Sequence, residues 1–237
     1  ITGLTAGTTY YVRAYSTNSV GTGYGTQVSF TTSSTSGSTV TDIDGNVYNT
    51  VTIGSQVWMV ENLKTTKYRS GDLIANVTDN AAWAALATGA YCWYNNNAAT
   101  YKATYGALYN WYAVADSRNI APTGWHVPTD AEWTILKDYL GGTRVADGKL
   151  KEAGTAHWLT PNTDATNSTG FTALPGGYRL YLGGAFYDVG EVGYWWSSTA
   201  YDAYNAWYRD LYYYYNANAY RVNNNKQEGF SVRCVRD

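Results

Sequence analysis

The chain has 237 residues and a formal net charge of −2, with only 14 % of its residues charged. That balance leaves no electrostatic footprint for a phosphate backbone or an anionic membrane, so nucleic acid is not an expected partner. Twenty-five Tyr and ten Trp stand against four Phe. Aromatics with a polar tip suit half-wet positions, where one end packs and the other meets water or a ligand. The length suits one sizeable domain plus an attachment. No apolar run approaches a membrane span, so no direct membrane insertion is expected. The chain opens with Ile1 and shows no signal peptide, which reads as a fragment or a processed product. Cys92 and Cys234 are too few for a disulfide framework or a structural zinc site. One bridge closing the chain end onto the body and a pair of free, buried thiols both remain open.

Residues 1–32 read as two strands and a turn. In "TTYYVRAYST", Tyr11, Arg13 and Tyr15 alternate with Tyr10, Val12 and Ala14, and "VGTGYG" makes the bend before "QVSFTT". The segment resembles the last two strands of a fibronectin type III domain. That resemblance implies upstream Ig-like modules, because such a sandwich needs about seven strands in two sheets. Residues 33–39, "SSTSGST", form a flexible linker by composition. The main domain spans 40–237.

"TDIDGNVYNTVTIGSQVWMVENL" reads as a hairpin turning at Asp44-Gly45, with Val47, Val51, Ile53, Val57 and Trp58 as strand-forming side chains. Its D-x-D-G invites a calcium loop, but the later ligands of such a loop are missing. Thr129 and Glu132 form a capping box that opens a helix, with Trp133, Leu136 and Leu140 on one face and Gly141-Gly142 at its end. A second helix is predicted over Tyr105–Ala115, where Leu108, Trp111, Tyr112 and Ala115 share a face, and a short Ala-rich one over Asn80–Ala87. Beyond Gly142 the chain is rich in Gly, Thr and Asn. Few helices beside many short strands give an α+β class with a loop-dominated functional half.

Six motifs occur in a telling order: "TDIDGNVYNTVTIGSQVWMVENLKTTKY", "YGALYNWYAV", "APTGWHVPTDAEWTIL", "GFTALPGGYR", "GYWWSST" and "GFSVRCVRD". Over residues 41–237 the chain resembles the Fibrobacter succinogenes major paralogous (FISUMP) domains. The resemblance implies a C-type lectin-like fold of the kind found in formylglycine-generating enzymes: a small mixed sheet, two packed helices and a long excursion that presents a ligand surface. The C-terminal part is similar to the variable proteins of diversity-generating retroelements. Those carry a "WSST"-like entry, a hypervariable stretch and a "GF-x-V-R"-like strand. The similarity implies a variable binding region at about 194–228. Of the 25 residues 201–225, 20 are Tyr, Asn, Asp or Ala. The exceptions, Trp207, Arg209, Leu211, Arg221 and Val222, look like framework, as do Trp195, Trp196, Phe230 and Cys234.

The residues themselves point the same way. Trp207, Arg209 and Leu211 alternate with Tyr208, Asp210 and Tyr212, the period of a half-buried strand. Trp207 and Leu211 are then expected inside, and Tyr208 and Asp210 outside. Tyr213, Tyr214 and Tyr215 cannot all be interior, because a buried phenol needs a hydrogen-bond partner. Exposed Tyr beside Asn and Asp has the composition of an antibody-type paratope. The contact residues expected on this basis are Tyr201, Asp202, Tyr204 and Asn205 at the start, and Tyr208, Asp210 and Tyr212 to Tyr215 in the middle. Asn216, Asn218, Tyr220, Asn223 and Asn224 follow at the end. An aromatic sheet face that serves stability alone would call for β-branched partners, and only Val222 is present.

Catalytic alternatives find less support. His126 and His157 lack metal-ligand spacing and a nucleophile motif, and read as structural rings bonded to backbone. The serines of "WWSST" sit in no G-x-S-x-G turn. A formylglycine-generating activity needs a closely placed cysteine pair, which Cys92 and Cys234 do not make in sequence. Among Asp188, Glu191, Asp202 and Asp210, no pair stands out as two glycosidase carboxylates. The calcium-dependent sugar motifs EPN and QPD are absent. The expectation is a non-enzymatic domain without a cofactor or metal. It binds a protein or glycan ligand on another cell or particle, and is secreted, on a bacterial surface, or on a phage virion. The alternative is a carbohydrate-binding module of fixed specificity, and a formylglycine-generating-like enzyme comes third.

Overall fold

The computed structural model describes residues 9–31, 38–214 and 220–237. The chain divides into two compact units, residues 1–38 and 39–237. Residues 33–37 of the expected linker, and Tyr215, Asn216 and Asn218 of the expected contact surface, lie outside the described residues.

In the first unit, β1 (Thr9–Val12) pairs antiparallel with β4 (Val28–Thr31), and β2 (Tyr15–Thr17) with β3 (Thr22–Tyr24). The two expected strands are therefore each interrupted once. Tyr11, Tyr15 and Tyr24 are exposed, and Arg13 lies over the Tyr24 ring at 3.9 Å.

The second unit opens with β5 (Thr39–Thr41), β6 (Val47–Ile53) and β7 (Gln56–Met59), all antiparallel. Asp42 accepts the N–H groups of Asp44 and Asn46 inside the first turn, at 3.0 and 2.9 Å. Asp44 accepts the Thr66 N–H and hydroxyl and pairs with Lys67. Both carboxylates of the D-x-D-G motif thus serve as local hydrogen-bond acceptors. A second turn at Gly54-Ser55 closes another hairpin. Next come β8 (Ala75–Asn76), α1 (Asn80–Ala84), β9 (Ala90–Cys92), α2 (Ala98–Tyr105), β10 (Leu108–Tyr109) and α3 (Trp111–Val114).

The single helix expected over 105–115 does not form. Gly106 sits at φ +75°, where a Cβ would come within 2.7 Å of the Leu63 carbonyl, so the chain turns there and Leu108–Tyr109 pairs with Tyr91–Cys92 as a strand. β11 (Trp125–His126) leads into α4 (Asp130–Tyr139), which carries the full Thr129–Glu132 capping box. α5 (Thr143–Leu150) follows and was not predicted.

Beyond α5, five strands build one mixed sheet. β12 (Gly176–Arg179), β13 (Phe186–Val189), β14 (Val192–Ala200), β15 (Asn205–Tyr212) and β16 (Tyr220–Asn225) are arranged in the order β13-β12-β14-β15-β16. The last strand, β17 (Val235–Arg236), joins β11 and β7 in a second five-stranded sheet ordered β11-β17-β7-β6-β5. The architecture is mixed α+β, with few helices.

The core is aromatic. One cluster gathers Trp196, Tyr194, Tyr208 and Phe230 with Tyr109; another packs Trp58, Trp133, Phe171, Trp158 and Leu211 beneath α4 and α5. Each such side chain, fully buried, contributes about 1.5–3 kcal/mol. Among the described residues three arginines are interior, Arg179, Arg209 and Arg233. Arg179 donates to the carbonyls of Gly184, Val77 and Thr78, and Arg233 to Asn62 and the Phe171 carbonyl. Cys92 and Cys234 are both free and buried, in different clusters, so no bridge ties the chain end to the body.

Candidate ligand-binding site

Strands β14 and β15 are joined by the four-residue turn Tyr201–Tyr204, which is built from its own polar groups. One oxygen of Asp202 accepts the N–H groups of Tyr204 and Asn205, each at 2.7 Å, and Asn205 Nδ2 bonds the same carboxylate. These bonds favour the ionised form and hold the Asp202 carboxyl below its ordinary range. Lys226, buried just beyond β16, donates to the carbonyls of Asp202 and Ala203 at 2.8 and 3.0 Å. The turn is thereby fixed while its tyrosines point to solvent: Tyr201 is 53 % exposed and Tyr204 75 %.

The Tyr201 ring meets Trp207 edge-on at 4.8 Å, and the Arg221 guanidinium lies 3.5 Å above the same indole. Arg221 Nε donates to Asp130 Oδ2 at 2.7 Å, and Asp130 Oδ1 receives the buried Arg209 at 2.7 Å. Asn223 pairs with Trp207 across β15 and β16, and Asn224 with Ala206; both asparagines are half-buried.

The expected orientation of β15 is overturned at two positions. Tyr208 is 7 % exposed and Asp210 2 %. The strand has no solvent face in its middle. Arg209 and Leu211 lie against α4 and its cluster, while Tyr208 packs on Phe230 at 4.8 Å and on Trp196. Burial also pushes the Tyr208 phenol well above its usual range. Trp207, expected inside, is half-buried. Neither Tyr208 nor Asp210 is placed to touch a partner.

The remaining expected contacts divide between the two ends of β15. Tyr201, Asp202, Tyr204, Asn205, Asn223 and Asn224 gather at one end. Tyr212 and Tyr213, both half-buried, and Tyr214, 47 % exposed, follow the other end. The backbone of Tyr220 pairs with Asp210 at that second end. Eight strand residues separate the groups by roughly 25 Å. The second group is tied down by Lys151, which is fully buried and donates to the carbonyls of Tyr212 and Thr163 at 3.0 and 2.9 Å. Burial lowers the Lys151 pKa to about 8, against the opposing pull of Asp147 and Asp164. Nothing in the sequence announced a buried lysine here.

The family of Fibrobacter succinogenes major domains matches residues 51–236. The chain belongs to that family. Comparison with curated proteins and with solved structures gave no match. Within this Fibrobacter succinogenes major domain, the framework residues Trp195, Trp196, Leu211, Phe230 and Cys234 are all interior.

The candidates for chemistry are occupied by structural contacts. His126 bonds Asp237 and Glu132 at 2.7 and 2.8 Å, and His157 bonds Glu152, so both rings meet carboxylates instead of the expected backbone. Burial alone would lower the His126 pKa, but its two carboxylate partners outweigh it and raise the value. Asp188 accepts the Tyr194 hydroxyl at 2.6 Å. Among the described residues no group of three or more His, Cys, Asp or Glu is placed to hold a metal ion.

Proposed function

We propose that this domain is a non-enzymatic binding module of C-type lectin-like fold that recognises a protein or glycan on another cell or particle. In this reading it is the variable protein of a diversity-generating retroelement, displayed on a bacterial envelope or a phage particle downstream of Ig-like modules. The observation that carries the reading is the 201–204 turn: two exposed tyrosines on a backbone locked by Asp202 and Lys226. Tyrosine offers large contact area with few rotatable bonds, and a rigid turn removes most of the remaining ordering cost of binding. Variation at the two tyrosines leaves the fold intact, because the turn is held by the Asp202 carboxylate and Lys226 and not by the tyrosine rings.

The separation of roughly 25 Å between the two tyrosine groups suits a protein-sized partner, since a standard interface covers about 800 Å² on each side. The test is binding of the wild-type chain and a Tyr201→Ala/Tyr204→Ala/Tyr214→Ala variant to arrayed extracellular proteins and glycans. Binding by wild type, its loss in the variant at unchanged melting temperature, and indifference to EDTA support the proposal. Binding that survives the three replacements and disappears with EDTA sinks it in favour of a metal-dependent lectin. A reverse-transcriptase gene beside a near-copy of the 3′ coding sequence tests the retroelement assignment separately.

A further inference from the structure

We infer that Arg221 is the charged anchor of this surface and that it takes a carboxylate, an Asp or Glu side chain of a protein partner. The inference rests on the binding reading above and names the chemistry of its ligand. Four observations lead to it. Arg221 belongs to β16, the edge strand of its sheet, and its side chain is 52 % exposed. The guanidinium is nevertheless held in one place, stacked at 3.5 Å on Trp207, which Tyr201 buttresses from its own side. Its Nε is bonded to Asp130, so the two Nη groups form the remaining edge, and neither has a partner among the described residues. That edge matches the two oxygens of a carboxylate.

Charge decides the sign of the ligand. Arg209 and Arg221 each bond Asp130 at 2.7 Å, and buried Asp210 also acts on Arg209, so both balancing acids lie inside while the charge that faces solvent is the half-exposed Arg221 guanidinium. Asp202, the nearest acid in the turn, is already occupied by the N–H groups of Tyr204 and Asn205. On this surface Arg221 is an exposed, fixed cation stacked on Trp207, against which Tyr201 and Asn223 also lie. Trp, Tyr and Arg are the side chains that dominate binding energy at protein interfaces, which favours a protein as the source of the carboxylate.

The experiment is selection of a random displayed peptide library on the full chain, run in parallel on wild type, Arg221→Gln, Arg221→Lys and Tyr201→Ala/Tyr204→Ala. Wild type is expected to enrich peptides with Asp or Glu at a fixed position. Those peptides should bind Arg221→Gln at least tenfold more weakly, and a Glu→Gln or Asp→Asn change in the peptide should cost the same factor. Arg221→Lys keeps the charge but loses the planar edge, and is expected to retain the acidic preference at reduced affinity. Circular dichroism of each variant separates lost recognition from lost fold. Enriched peptides without a fixed acid, lost on Tyr201→Ala/Tyr204→Ala but bound equally by Arg221→Gln, overturn the anchor and leave the surface standing. Peptides indifferent to every one of these variants overturn both.

Discussion

Asp130 Oδ1 lies 2.7 Å from Arg209 Nη2, and this buried contact ties the first turn of α4 to the middle of β15. Burial pulls the Arg209 pKa below its usual value, and the bond to Asp130 opposes that shift. Removing the acid leaves a cation inside the protein without its partner. Asp130→Ala is therefore expected to cost about 3–5 kcal/mol. Arg221→Gln, which breaks only the exposed half of the same network, should cost less than about 1 kcal/mol. Urea denaturation of the two variants checks the difference, and equal losses would show that the buried half carries no special weight.

The register of β15 gives a second expectation. Tyr208 sits among Phe230, Trp196 and Tyr194, so Tyr208→Ala should destabilise by about 3–5 kcal/mol, as large aromatic truncations in cores do. Tyr204→Ala should stay within about 0.5 kcal/mol. Thermal unfolding of both decides it; a stable Tyr208→Ala would put that ring back on the surface.

Why the sequence misplaced Tyr208 and Asp210 is a matter of layers. Alternation along a strand assigns residues to two faces but does not say that both faces are covered. Here α4 covers one and the Phe230 cluster the other, through contacts with residues far away in sequence. The capping box at Thr129 and Glu132 was legible because it is closed by residues three apart. The Asp44-Gly45 turn was legible for the same reason. The false helix over 105–115 had a helical spacing of apolar residues, and the close approach of Gly106 to the Leu63 carbonyl that breaks it is tertiary. No local pattern marks Lys151, Arg179 and Arg233 as interior, since the carbonyls that receive them are set by the fold alone. Within the candidate site, the tyrosine composition was visible from the start. The rigid Asp202–Lys226 turn and the Asp130–Arg221 pairing were not.

Glu228 makes stability depend on pH. It is buried, and burial raises its pKa to about 8, against the opposing N–H bond from Tyr181. The folded state thus binds this proton more tightly than the unfolded chain, where a glutamate titrates near 4.3. Its contribution is fully present below about pH 4 and is lost as pH rises through about 8. Glu228→Gln, which cannot ionise, should remove that part of the slope and gain on wild type at pH 8. Chemical denaturation at pH 5 and pH 8 tests this, and parallel pH profiles for the two proteins would contradict it.

Both thiols should be inert in the folded chain. Burial raises the Cys92 pKa to about 12, with Arg179 as a lesser opposing influence, and pushes Cys234 higher still. Ellman's reagent should detect no thiol in the native protein and both after denaturation, with an intact mass unchanged by reductant. Rapid native labelling would contradict the interior placement of these two residues.

The central claim is that recognition belongs to the fixed turn and its cationic neighbour. Hydroxyl-radical footprinting of the full chain, with and without a peptide selected on it, reads this directly. Bound peptide is expected to protect Tyr201, Tyr204 and Trp207 while leaving Tyr112, Leu73 and Tyr139 as reactive as before. Protection of Tyr112 and Leu73, with Tyr201, Tyr204 and Trp207 unchanged, would place the binding surface elsewhere and contradict the account.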